Sequence, residues 1–177
     1  MAATVTTRTI TNTIITIITT MARTSDSDGA MALDPQAEQR VRASFAHQQA
    51  MATIGASIAA VRKGEVEIVL PYSAANTQQH GFVHGGIVAM IADTACGYAA
   101  LSLMPVDAAV LTTEFKLNLL APATGERLVA IGRVVRRGRK LMVCLGEVFS
   151  ESGANRKQVG LMTASMMVAD TGTGLRD

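Results

Sequence analysis

Two rhythms of apolar residues run along this chain. In "ASIAAVRKGEVEIVLPY", Val66, Ile68 and Leu70 recur every second residue, and Arg62-Lys63-Gly64 interrupts the run. A period of two with a Gly-containing break predicts a hairpin. Just before it, "DPQAEQRVRASFAHQQA" predicts a helix: Asp34 can cap it, Pro35 suits its first turn, and good helix formers follow. Residues 72–84 are polar and predict a loop. From Gly85 to Met104 the chain is apolar on every side of a helical wheel and has no proline, which predicts a long buried helix. Four strand-like runs follow. In "VLTTEFKLNLL", Leu111, Thr113, Phe115, Leu117 and Leu119 alternate with Thr112, Glu114, Lys116 and Asn118. "ERLVAIGRVV", "KLMVCLGEVF" and "QVGLMTASMMV" come next, separated by short turns such as Arg-Gly-Arg and "SESGAN".

The order is therefore helix, hairpin, one long buried helix, then four strands. A single apolar helix among antiparallel strands predicts an α+β layer fold, with the sheet wrapped around that helix. The helix has more apolar surface than one sheet can cover, so a second copy of the chain is the expected cover. Of 177 residues, about 35–170 read as one domain with a real core. Residues 1–34, opening with the Thr/Ile-rich "MAATVTTRTITNTIITIITT", read as a disordered or artefactual extension. Residues 171–177 read as a loose tail.

Composition narrows the function. A net charge of +2 does not call for nucleic acid. No run of eighteen uniformly apolar residues predicts a membrane span. Cys96 and Cys144, far apart, suit a reducing cytoplasmic compartment rather than a disulfide framework. There is no phosphate-binding loop, dinucleotide fingerprint or Gly-x-Ser-x-Gly elbow.

The chemistry concentrates in "HGFVHGGIVAMIADTACGYAA". Asp93 is the only Asp, Glu, Lys or Arg between Glu67 and Asp107. A carboxylate on an apolar helix is costly unless partnered, and burial raises its pKa. It reads either as a structural carboxylate or as a base or nucleophile held in a pocket. His84-Gly85-Gly86 stands where the helix begins. There, unbonded N–H groups and the helix dipole can hold a developing oxyanion. His84 to Asp93 spans nine residues, ~13 Å along the axis and half a turn around it. The Asp93 carboxylate and the Gly85 amide of one chain therefore cannot meet at one carbonyl. If both act on one substrate, they come from two subunits related by a two-fold axis. His80 and His84 lie four apart, but glycines disfavour a helix there and no third ligand is placed, so no metal is expected. His47 reads as a surface residue of the first helix.

At these residues the sequence resembles the phenylacetic-acid-degradation-type (PaaI-like) hotdog thioesterases. The resemblance is carried by "HGGIVAMIADTACGYAA", "LLAPATGERLVAIGRVVRRGRKLMVCLGEVF" and "GLMTASMMV", over roughly residues 50–168. It implies a hotdog fold, dimers that pair into tetramers, and acyl-CoA thioester hydrolysis with no cofactor. It implies that Asp93 attacks the thioester carbonyl or activates a water, while His84 and Gly85 of the facing subunit polarise the carbonyl. The family often has Asn six residues before the His; here Gln78 stands there, one methylene longer. Thr112 matches a hydroxyl residue near the carboxylate. Val83 and Gly86, with Arg137, Gly138, Arg139 and Lys140 of the basic turn, would face coenzyme A, whose phosphates suit a cationic loop. Read without the resemblance, that turn is a solvated hairpin tip. The other functional readings are a hotdog hydratase or dehydratase, and a non-catalytic acyl-CoA-binding module.

Overall fold

The computed structural model describes residues 33–169. The expected extension and tail lie almost entirely outside these residues. Helix α1 (Pro35–Ala46) is capped by Asp34, whose carboxylate accepts the Gln36 N–H at 3.0 Å. The expected single helix is in fact two, for the chain breaks at His47 and Gln48 and resumes as α2 (Gln49–Ile54). Val41 of α1 and Met51 of α2 are both buried in the core. Gly55 ends α2 in a left-handed conformation, φ +78°.

Strands β1 (Ser57–Arg62) and β2 (Glu65–Pro71) form the predicted hairpin. Helix α3 (Gly85–Leu101) follows, then β3 (Ala109–Leu119), β4 (Arg127–Arg137), β5 (Leu141–Ser152) and β6 (Asn155–Ala169). All pairings are antiparallel, in the order β1-β2-β4-β5-β6-β3. The sheet curves around α3, which is the α+β hotdog architecture. Ile91, Ala92, Ala95 and Cys96 of α3 are fully buried against Ile68, Ala130, Cys144 and Met162 in one continuous core.

Glycine makes this close approach possible. A Cβ at Gly132 of β4 would lie well under 3.0 Å from the backbone of Ala95, closer than side chains ever come. Helix α3 stops at Leu101, three residues before the expected Met104. The Ser102 hydroxyl donates to the Ala99 carbonyl at 2.7 Å and accepts the Gly64 N–H of the β1–β2 turn at 2.8 Å. Arg40 of α1 donates to the Leu101 carbonyl at 2.9 Å and to the Pro105 carbonyl at 2.6 Å. A guanidinium at this end also opposes the negative pole of the helix.

The strict alternation expected in β3 does not hold. A bulge between Thr112 and Glu114 inserts one residue. Thr112, Phe115, Leu117 and Leu119 therefore pair with the inward-facing Met166, Ala164, Met162 and Gly160, while Leu111, Glu114, Lys116 and Asn118 take the outer face. Bulges of this kind re-aim a side chain. This one turns Thr112 toward α3. A second bulge, between Val134 and Arg136 of β4, puts Arg137 rather than Arg136 on the inner face, opposite Met142.

Candidate functional site

Asp93 projects from the middle of α3 at the rim of the sheet and is half-buried. The Thr112 hydroxyl donates to its Oδ1 at 2.9 Å. Burial lifts the carboxyl above its ordinary 3.8, and the Thr112 hydrogen bond, which favours the charged form, offsets part of that rise. A carboxylate with one donor and one open oxygen, poorly solvated, can accept a proton or attack a carbonyl carbon.

The second group of residues lies at the start of α3. His84 caps the helix: its Nδ1 accepts the Gly86 N–H at 2.9 Å. That bond makes Nδ1 an acceptor, so in the neutral ring the proton sits on Nε2. A Cβ at Gly86 would press on the imidazole at 3.0 Å, which explains the second glycine of the pair. The His84 carbonyl accepts the Ile87 and Val88 N–H groups at 2.9 and 3.1 Å. Among the described residues, the Gly85 N–H is thus the one first-turn donor of α3 without an acceptor. The family resemblance points to the same amide as the main donor to a carbonyl. Gly86, expected to face coenzyme A, has its N–H occupied by the cap.

The loop before α3 is built to hold this cap. Asn76, which sequence reasoning missed, is buried within it. Its side-chain N–H donates to the Ile54 carbonyl at 2.8 Å, and its own carbonyl accepts the His84 N–H at 2.9 Å. Nothing distinguishes this Asn from its polar loop neighbours in the sequence; its burial arises from where α2 ends. Gln78 accepts the His80 N–H on Oε1 at 2.5 Å. Because that donor is a backbone N–H, the Gln78 oxygen must face it, and Nε2 remains as a donor.

Gln78, Phe82, Val83, Gly85 and Val88 form one wall of a cleft of about 350 Å³, and Leu119 to Ala123 form the other. The Val83 N–H donates to the Ala123 carbonyl at 3.0 Å, so Val83 meets the cleft through its side chain.

The structure thus joins Asp93 to Thr112, and His84, Gly85 and Gln78 to one another. It does not join the two groups. Gly85 and Asp93 are eight residues apart on one helix, ~12 Å along its axis. The basic run turns the corner between β4 and β5, with Arg136, Arg137, Arg139 and Lys140 exposed. The Gly138 N–H closes this turn on the Leu141 carbonyl at 3.0 Å, and a Cβ at 138 would strike that carbonyl. The sheet register sets Thr112, Met166, Met142 and Arg137 in one row. Three strand spacings of ~4.8 Å separate the ends of that row, about 14 Å in all.

Cys96 and Cys144 are buried and unpaired, which raises both thiols, Cys144 to about 12. They are poor nucleophiles there. Among the described residues, no three His, Cys, Asp or Glu side chains gather as a metal-ligand set. No helix among them is long and apolar enough to cross a membrane.

Comparison with known proteins agrees with this fold. The thioesterase superfamily profile matches residues 80–156, from the loop before α3 into β6. A thioesterase family protein from Silicibacter pomeroyi is 48% identical, with a TM-score of 0.74 over 76% of this chain and 98% of that one. The Escherichia coli PaaI protein of the phenylacetic acid degradation operon shares the fold at 23% identity, with a TM-score of 0.69 over 77% of this chain and 95% of PaaI. The 1,4-dihydroxy-2-naphthoyl-CoA hydrolase of Listeria monocytogenes is 28% identical over 91 residues, 51% of this chain and 74% of that enzyme. The chain spans 59% of the length of each of two archaeal relatives, from Halobacterium salinarum and Saccharolobus solfataricus. From the cap at His84 to the wrapped sheet, this chain belongs to the thioesterase superfamily.

Proposed function

We propose that this chain is an acyl-CoA thioesterase, hydrolysing a small to medium or aromatic acyl-CoA to the free acid and CoA. The observation that carries the reading is that α3 presents, among the described residues, one unbonded first-turn N–H at Gly85 and a half-buried carboxylate at Asp93. Asp93 would attack the thioester carbonyl or take a proton from the attacking water. The Gly85 N–H, aided by His84 Nε2–H, would stabilise the oxyanion, and such preorganised donors supply much of catalysis in acyl transfer. Gln78 Nε2–H can hold the water or the carbonyl, and Thr112 positions the carboxylate. A thiolate leaves readily, so the site needs no strong general acid.

The ~12 Å between Gly85 and Asp93 supports a site shared by two subunits, one supplying the carboxylate and the other the N–H. Strand β3 offers the means. It ends the sheet, pairing with β6 alone among the described strands, and exposes the apolar ring of Phe115 at mid-strand. An open edge carrying apolar side chains is a pairing surface. A two-fold axis beside it sets the two α3 helices antiparallel, Asp93 of one facing Gly85 of the other, and two such dimers would pair into a tetramer. The turn at Arg137, Gly138, Arg139 and Lys140 would meet the CoA phosphates. A cytoplasmic location, where acyl-CoA is made and used, suits this chemistry.

The test is thiol release from a panel of acyl-CoAs, wild type beside Asp93→Asn. Wild-type turnover with a loss of ~10² or more in the variant supports the carboxylate role. No release from any thioester, with acyl-CoA still bound, would overturn the reading in favour of a binding module.

A further inference from the structure

We propose that the cleft at the start of α3 receives the acyl group and that Leu119 selects among acyl groups; this rests on the thioesterase reading above. The cleft opens beside the Gly85 N–H, so a carbonyl bonded there would have its acyl chain directed along the lining. Gly85 and Val88, one helical turn apart, form its floor. Leu119 lies directly over Gly85, since a Cβ at 85 would sit 2.9 Å from Leu119 Cδ1. This side chain therefore sets the width of the cleft where a thioester would enter. Leu119 ends β3 and is 58% exposed. Its role in the core is slight, which leaves it able to shape a site.

Size and polarity define the substrate class. The volume of about 350 Å³ matches roughly a dozen water-sized groups at ~30 Å³ each. That admits a single ring on a short arm or a medium-length chain, and not a long fatty acyl chain in full. The lining is Phe, Val, Leu, Ala, Pro and Gly, with Gln78 its one polar side chain and no Lys, Arg or His. A carboxylate at the far end of the acyl group would be desolvated there without a partner, at heavy cost. The structure thus assigns the site to uncharged apolar acyl-CoAs and against monothioesters of dicarboxylic acids.

The experiment compares kcat/KM for hexanoyl-, decanoyl-, phenylacetyl- and succinyl-CoA in the wild type, Leu119→Ala, Leu119→Phe and Leu111→Ala. Leu111 is a control on the same strand, 41% exposed on the outer face. Leu119→Ala is expected to raise the decanoyl-to-hexanoyl ratio about ten-fold or more, the discrimination that small changes in an apolar pocket give. Leu119→Phe is expected to lower it, Leu111→Ala to leave it unchanged, and succinyl-CoA to be the poorest substrate throughout. If the wild type is active and neither Leu119 variant moves the ratio beyond the Leu111 control, the acyl pocket lies elsewhere. Succinyl-CoA turning over as well as hexanoyl-CoA would overturn the assigned substrate class. If no protein releases thiol from any thioester, the thioesterase reading falls and this proposal falls with it.

Discussion

Gly132→Ala adds one methyl group, far from the proposed reacting atoms, and should impair both stability and activity. The new Cβ would meet the Ala95 carbonyl carbon and oxygen and the Cys96 nitrogen, all of them backbone atoms that cannot rotate away. Ordinary contact between such atoms begins at ~3.5 Å, so α3 must move off the sheet by on the order of 1 Å at this point. Overpacking of this kind costs about 1–3 kcal/mol, which corresponds to a fall in melting temperature of roughly 3–10 °C for a domain of this size. The same displacement acts on Asp93, less than one helical turn from Ala95. Its 2.9 Å bond to Thr112 spans from the moving helix to a strand. A misplacement of ~1 Å can cost 10² in rate, so kcat/KM should fall by about that factor while acyl-CoA binding weakens far less. Thermal unfolding followed by circular dichroism gives the first number, and thiol release from the best acyl-CoA gives the second. A Gly132→Ala protein with wild-type melting temperature and rate would show that α3 does not rest on the sheet at Gly132, and the placement of Asp93 would have to be redrawn.

Three further outcomes follow from the site. Thr112→Val removes the hydrogen bond that favours the charged form of Asp93 while leaving its burial in place. The carboxyl pKa then rises further, so the acid limb of the kcat/KM profile should move to higher pH; an unmoved limb would show that Asp93 does not govern it. The stability sign is the same. A folded carboxyl lifted above its unfolded 3.8 makes the protein lose stability as pH rises from that value through the raised one, and Asp93→Asn should flatten this loss. Arg137→Gln should raise KM for acyl-CoA roughly five-fold, about 1 kcal/mol for one exposed guanidinium–phosphate contact. It should leave kcat, and hydrolysis of the matching thioester on a short phosphate-free thiol, unchanged. Equal losses on both thiols would remove the CoA phosphates as its partner.

The sequence by itself determined the elements whose signal is local. The period-two runs of β2 and of β4 to β6, the apolar helix of α3, and the turns at Gly64 and Arg136 to Lys140 are written in neighbouring residues, because side-chain alternation and turn geometry depend on nothing further away. Asp93 stood out for the same reason, as a lone charge in an apolar run. The pairing with Thr112 could be proposed from family resemblance, but a strict period would have put Thr112 on the face opposite Phe115, Leu117 and Leu119. Only the bulge in β3, an outcome of fitting that strand to β6, turns it toward Asp93. Likewise the second bulge decides that Arg137 faces inward. The burial of Asn76 arises from a contact between segments more than twenty residues apart. A hydrogen bond from Asn76 to Ile54 or the seat of Ala95 on Gly132 leaves no periodicity in the chain. Such features depend on packing in three dimensions, where the core must be filled without gaps and each buried polar group must find its partner.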